Sequence, residues 1–272
     1  MPEISSDLNM IRVTNEAFLK KADACAPKLK EIMVYPTGIV EIQDTGADYP
    51  TAVQTDSADN LRKHALKKGD KLCLDFGDHQ VGYVTLKLSS IGSPQDAPAF
   101  FKLKFGEIAK EMTEKSEEYD GWISRGWIQE EYFHVDTLPT VLELSRRYAF
   151  RYLEIEVLDT SMKWQLVVDE VVCRSVSAVS TEEAKSFPSE DRMIQKLDKV
   201  SLRTLHNCMQ SVFEDGPKRD RRLWLGDLRL QALVNYRTFK NYDLVKRCLY
   251  LFAGQTKDNG QVGACLFIEP QI

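Results

Sequence analysis

The sequence predicts an antiparallel β-sandwich followed by stacked helical hairpins. Three observations carry that prediction. Apolar residues alternate with polar ones before about residue 180, turn-forming clusters rather than helices separate the alternating runs, and the period lengthens to 3.6 after residue 188.

The alternation is clearest in three runs. Val84, Leu86 and Leu88 are interleaved with Thr85 and Lys87; Phe101, Leu103 and Phe105 with Lys102 and Lys104; Leu153, Ile155 and Val157 with Glu154 and Glu156. Successive strand side chains point to opposite faces, so each run reads as a half-buried strand with one wet side. Gly92-Ser93-Pro94-Gln95-Asp96 and Asp159-Thr160-Ser161 supply turns. Short strands with no helical pattern between them favour a sandwich over a parallel α/β sheet.

After Pro188 and Ser189, which stand where a helix N-terminus belongs, Ile194, Leu197, Ser201, Leu205, Cys208, Met209 and Val212 fall on one helical face. This predicts a helix over 190–213. A second is predicted over Asp227–Phe239, with Leu228, Ala232, Leu233 and Tyr236 as its stripe, and a third over Tyr242–Ala253, with Leu244, Val245, Cys248, Leu249 and Phe252. Lys240 and Asn241 alone separate these two, which implies a tight αα-hairpin. The predicted organisation is an N-terminal segment 1–28, a jelly-roll-like β-sandwich 29–178 and a helical domain 179–272. No polar closing helix protects the last hairpin, so the helical domain reads as truncated.

Composition narrows the function classes. With 43% hydrophobic and 28% charged residues the chain is ordinarily globular, and its net charge of −5 gives no general reason to expect nucleic acid. No apolar run approaches the ~20 residues of a membrane span, and Met1 to Lys21 lacks a signal pattern, so the expected location is cytoplasmic. The six cysteines come no closer than 17 positions, and the four histidines show no ligand spacing. They read as reduced, mostly buried thiols and as non-ligating histidines, with no structural metal.

The segment richest in chemistry is Asp215-Gly216-Pro217-Lys218-Arg219-Asp220-Arg221-Arg222-Leu223-Trp224-Leu225-Gly226-Asp227. Gly216 and Pro217 are read as barring helix continuation there. Its carboxylates can accept hydrogen bonds from vicinal hydroxyls, its arginines can fix those carboxylates, and an indole can stack on a sugar face. The plainer alternative is a solvated, salt-bridged loop in which Asp227 caps the next helix and Trp224 belongs to the core. A nucleic-acid contact through Lys218–Arg222 is disfavoured by the interleaved aspartates. Elsewhere, Asp75, Asp78 and His79 read as a turn before a strand rather than a metal site, Glu114–Asp120 as a solvated loop, and Trp122, Trp127 and Tyr132 as packing residues of the sandwich or the adjacent helical domain in preference to a carbohydrate-binding face of the sandwich.

The Asp215–Asp227 stretch resembles the signature loop of glycoside hydrolase family 78, the α-L-rhamnosidases. That pattern opens Asp-Cys-Pro, runs through an Arg-Glu-Arg core and closes Gly-Trp, one residue, Gly-Asp. Asp215 and Pro217 match its start, Arg219 and Arg221 flank its middle, and Trp224, Gly226 and Asp227 match its end. The resemblance extends over 190–213, over Gly121-Trp122 through Arg151-Tyr152, and over Gly263–Phe267, covering roughly residues 70–272. It implies an incomplete α/α six-hairpin barrel after the sandwich, and single-displacement hydrolysis of terminal rhamnosyl or related deoxy-sugar linkages with inversion and without a cofactor. By position it makes Asp220 the general acid, Asp215 and Asp227 sugar-binding, and Arg219 and Trp224 part of the same subsite. In the family the general base comes from a late hairpin, so these residues alone are expected to be inactive. Asp220 stands where the family has glutamate, Gly216 where it has cysteine and Leu223 where it has glycine. A non-catalytic carbohydrate-binding protein is the alternative.

Overall fold

The computed structural model describes residues 12–44, 46 and 49–267. It forms two compact units: Glu31–Val176, and a discontinuous unit of Met1–Lys30 with Ser177–Ile272. Glu269-Pro270-Gln271-Ile272, which the sequence reads as a loop, lies outside the described residues.

The chain begins with β1 (Arg12–Thr14) and α1 (Glu16–Ala24). Strands β2 (Lys30–Val34), β3 (Gly38–Gln43), β4 (Thr51–Ser57), β5 (Ala65–Leu66), β6 (Lys71–Gly92) and β7 (Ala99–Gly106) follow. After the short α2 (Ala109–Thr113) come β8 (Gln129–Val135), β9 (Thr140–Glu143), β10 (Tyr148–Asp159) and β11 (Trp164–Ser177).

The sheet runs β2-β11-β6-β10-β7-β8, with β3, β4, β5 and β9 attached off that path. The 22-residue β6 joins the sandwich together by changing partners. Its first part pairs with β10 and β3, its second with β11 and β9. The predicted alternation is the packing: Val84, Leu86, Phe101, Leu103, Leu153, Ile155 and Val157 are all buried in one core with Trp164. Each such side chain stabilises the fold by about 1.5–3 kcal/mol.

Asp75, Asp78 and His79 do not precede a strand; they lie within β6, where its register against β10 shifts. Gly77 takes φ +76 there, a left-handed conformation that L side chains rarely adopt. The Asp75 carboxylate accepts from Arg151 Nε and Nη2 at 2.8 Å each, and His79 Nε2 lies 2.8 Å from Glu107 Oε1. These polar groups therefore fix a bulge rather than a turn. Trp122 departs from its expected packing role, being 93% exposed.

In the discontinuous unit, α3 (Arg192–Cys208) is followed by β12 (Leu223–Trp224), α4 (Leu225–Asn235), α5 (Tyr242–Gly254), β13 (Gln255–Lys257) and β14 (Cys265–Leu266). α3 is shorter than predicted at both ends. Asp191, not Pro188 or Ser189, caps it, accepting from the N–H groups of Met193 (2.7 Å) and Ile194 (3.3 Å). The helix has already ended at Cys208, so Gly216 and Pro217 are not what stops it. Only the C-terminal part of its predicted stripe is buried: Leu205, Cys208, Met209 and Val212 are inside, whereas Ile194 and Leu197 are exposed. α4 starts two residues before Asp227 and ends at Asn235, and Leu249 of the third predicted stripe is exposed. The connection to α5 is longer than Lys240-Asn241. It includes Lys240 at φ 58 and Asn241, whose side chain caps α5 at the N–H of Leu244 (3.0 Å).

The N-terminal residues belong to this helical core. Asn15 caps α1, and its own N–H donates to the Gly254 carbonyl at 2.9 Å. β1 pairs antiparallel with β13, and Arg247 Nη1 of α5 donates to the Ala22 carbonyl at 2.9 Å.

Candidate functional site

The Asp215–Asp227 segment is a closed loop followed by a strand and a helix start. Asp215 clamps the loop in both directions. Its N–H donates to the Arg222 carbonyl (3.0 Å), and its Oδ1 accepts the Arg222 N–H (3.0 Å). Inside the clamp, the Arg221 N–H reaches the Gly216 carbonyl (3.0 Å) and its Nε reaches the Pro217 carbonyl (2.9 Å). Arg221 turns the chain at φ 53, a cost of about 1–2 kcal/mol for an L-residue that these bonds offset.

The clamp brings two carboxyls together. Asp220 stands near enough for its charge to act on Asp215, and it holds Arg219 Nη1 at 2.7 Å. Burial raises the Asp215 carboxyl above its ordinary value of 3.8; the adjacent Asp220 charge adds to this, and the N–H groups of Arg222 and Gly216 oppose it.

Trp224 and Asp227 are positioned by the next elements. β12 pairs with β14, Leu223 opposite Leu266 and Trp224 opposite Cys265. Strand alternation sends Leu223 into the core and leaves Trp224 half-buried on the other face. Asp227 lies exposed in the first turn of α4, where a carboxylate complements the helix dipole; Trp224 occupies the cap position itself. Among the described residues neither Trp224 nor Asp227 joins the Asp215–Asp220 pair by a hydrogen bond or ion pair.

Three contacts of this region were not foreseen. The Arg222 guanidinium lies 3.9 Å from the ring centroid of Phe267, the Leu225 N–H donates to the Ala264 carbonyl (2.9 Å), and Gln231 Nε2 donates to the Glu214 carbonyl (2.7 Å). The Gly263–Phe267 stretch was the only signal for the first two. Among the described residues no group of three or more His, Cys, Asp or Glu is placed to hold a metal ion.

Comparison with known proteins bears on both halves of the chain. Residues 36–175 match the family described as the glycosyl hydrolase family 78 alpha-rhamnosidase N-terminal domain. Residues 182–271 match the bacterial alpha-L-rhamnosidase six-hairpin glycosidase domain. A solved rhamnosidase from Klebsiella oxytoca with rhamnose bound is 42% identical, with a TM-score of 0.92 over 96% of this chain. This chain spans 51% of that enzyme's length. The family 78 rhamnosidase of Bacillus sp. GL1 (23% identity, TM-score 0.52, 66% of this chain and 17% of that one) shares the fold. So does the α-L-rhamnosidase of Dictyoglumus thermophilum (14%, 0.56, 88% and 23%). The curated proteins contain no match.

Proposed function

Because this chain belongs to the glycoside hydrolase family 78 α-rhamnosidases, we propose that its Asp215–Asp227 segment is the acid half of a site that cleaves terminal α-L-rhamnosyl linkages with inversion. The observation that carries this is the clamped loop that sets the Asp215 and Asp220 carboxyls near each other, with burial raising Asp215 above its ordinary value. A departing glycosidic oxygen needs a carboxyl that gives up a proton beside it, and burial makes Asp215 harder to ionise.

In this reading Asp220 delivers the proton to the leaving oxygen as the bond from the anomeric carbon breaks. The nearby Asp215, whose carboxyl burial makes harder to ionise, resupplies it. Asp215 and Asp227 hold sugar hydroxyls, Arg219 orients Asp220, and the Trp224 indole meets the apolar face of the ring. Water attacks the anomeric carbon from the opposite side and gives its proton to a second carboxylate. Inversion requires the two catalytic carboxyls to stand roughly 6.5–9.5 Å apart. Asp215, near Asp220 on the same loop, is too close to fill that role. In this reading a later hairpin supplies the base, and the 272 residues by themselves bind the sugar without turning it over.

A second reading is favoured by one observation: Arg219 Nη1 lies 2.7 Å from Asp220 Oδ1 and occupies an oxygen that a proton donor would turn to the substrate. The segment then binds a deoxy-sugar and performs no chemistry. Release of nitrophenol from 4-nitrophenyl α-L-rhamnopyranoside separates the two. The assay uses the 272-residue chain alone and the chain joined to the remaining half of the matched rhamnosidase. The hydrolase reading expects release by the joined form only, falling about 10²–10⁴-fold in Asp220→Asn. Turnover by the chain alone refutes its inactivity, and an undiminished Asp220→Asn refutes the acid role. Sugar binding with no release by either form establishes the second reading.

A further inference from the structure

The segment between β7 and β8 presents an indole that the proposed reaction does not use. Trp122 is 93% exposed, although a tryptophan side chain has some 150–250 Å² to bury. An indole left in water on a slack loop needs no explanation. This one is carried by a loop fastened at its base and shaped beneath the ring.

The fastening is a buried charge. Lys104 on β7 is 4% exposed, and its ammonium donates to the carbonyls of Met112 (3.4 Å) and Glu114. It also faces Glu130 Oε1 at 3.6 Å, and Ser116 Oγ donates to the other Glu130 oxygen. The entry to the segment, at Met112, Glu114 and Ser116, is thus tied to one pair of groups on adjacent strands, Lys104 opposite Glu130 in the ladder.

The shaping comes from Tyr119 and Gly121. The Tyr119 ring packs edge-on against Trp127, with centroids 5.9 Å apart. Its phenol passes so close to Gly121 that a Cβ there would lie 1.9 Å from the hydroxyl oxygen and 2.2 Å from the ring carbon bearing it. With glycine at 121 the tyrosine lies under the turn that carries Trp122; a side chain there would push the Tyr119 ring aside. Ser124 then accepts the Gly126 N–H at 3.2 Å and starts the helical turn Arg125–Trp127 that leads back to β8.

We infer that this Tyr119–Trp127 turn is a carbohydrate platform, with Trp122 stacking on the apolar face of a neutral pyranoside separate from the Asp215–Asp227 segment. The size of the patch selects the ligand. Trp122 is the one large apolar side chain of this turn that is strongly exposed, and Asp120, Ser124 and Arg125 beside it are exposed too. A protein partner anchors on a cluster of desolvated side chains within a wider dry interface. A pyranoside instead offers one ring-sized C–H face bordered by hydroxyls, which matches one indole bordered by polar groups. Charge selects further. From Glu114 to Arg125 the segment carries four acidic side chains against two basic ones, which disfavours a uronate polymer and suits an uncharged sugar. The choice of rhamnoside as probe rests on the proposed function; the existence of the platform does not.

Indole N–H resonances of the 15N-labelled chain test it site by site, because the chain has four tryptophans. The probe is methyl α-L-rhamnopyranoside, with polygalacturonate as the anionic control. The Trp122 resonance, identified by its absence from Trp122→Phe, is expected to shift saturably with the rhamnoside and to keep that response in Asp220→Asn. Gly121→Ala should weaken the response by about tenfold or more, as displacement of an anchor does. A response of Trp224 alone overturns the platform while sparing the proposed function. A response of Trp122 alone does the reverse. A Trp122 resonance that moves with polygalacturonate and not with the rhamnoside also overturns the inference.

Discussion

A carboxyl that folding renders harder to ionise leaves a signature in stability. Asp215 is such a group, raised above 3.8 chiefly by burial and then by Asp220. Between the unfolded value and the raised folded one, the native chain holds a proton that the unfolded chain has lost. Stability therefore falls as pH rises through that window, and the loss is complete above the folded value. Asp215→Asn retains an oxygen for the Arg222 N–H and an N–H₂ donor for Asp220. Thermal unfolding between pH 3 and 7 is expected to show a smaller decline with rising pH in the variant than in the parent; equal slopes would place the proton elsewhere. Lys104 behaves oppositely, as a buried cation whose pKa is lowered by burial first. With Lys104 4% exposed and the Glu130 side chain 6% exposed, Lys104→Met strands a buried carboxylate, at a cost of about 3–5 kcal/mol. Urea unfolding of Lys104→Met and of Lys104→Met/Glu130→Gln checks this, the double variant being the more stable of the two. The residue scale is also where the sequence was least readable. Asp215 and Asp220 are nominated by resemblance to the family 78 signature loop, and that resemblance does not show which of the two burial would make harder to ionise. Arg221 in a left-handed conformation and Phe267 under Arg222 depend on a chain reversal and a strand pairing that no local pattern encodes.

Among the elements, β6 determines the architecture. It must pass from one set of partners to another, and at Gly82 it runs against β11 with no room for a side chain. A Cβ there would lie 2.3 Å from the Arg174 carbonyl oxygen, which is backbone and cannot turn aside. Gly82→Ala is expected to cost about 1–3 kcal/mol, read as a lowered thermal midpoint, whereas Gly216→Ala, with no atom near its Cβ position, should leave the midpoint nearly unchanged. The alternating runs of β7 and β10 were legible because each buries one whole face, and a period of two is the direct trace of that burial. The bulge at Asp75–His79 was not, since a polar cluster with a glycine reads alike as a turn or as a strand changing register. Helix ends failed for a related reason. The 3.6 period continues through Met209 and Val212, but those side chains are buried by a tight reversal after the helix, where Met209 bridges to Phe213.

At the scale of the whole molecule, each unit has a core of its own, and the sequence located the change of character near residue 180 because the apolar period itself changes there. It did not reveal that the first residues belong to the helical core. α1 is nine residues long and buries only Ala22 among them, so its amphipathic signal is faint and its place is set by partners far along the chain. That placement governs the order in which the molecule can be built. Arg12 pairs with Lys257, which the ribosome adds 245 positions later. At roughly 5–20 residues per second, the opening strand waits on the order of ten to fifty seconds for its partner. Every strand of Glu31–Val176 has emerged well before then. The sandwich can thus close while the first helix of the protein is still unattached, and the last described residues to leave the ribosome complete the packing of the first.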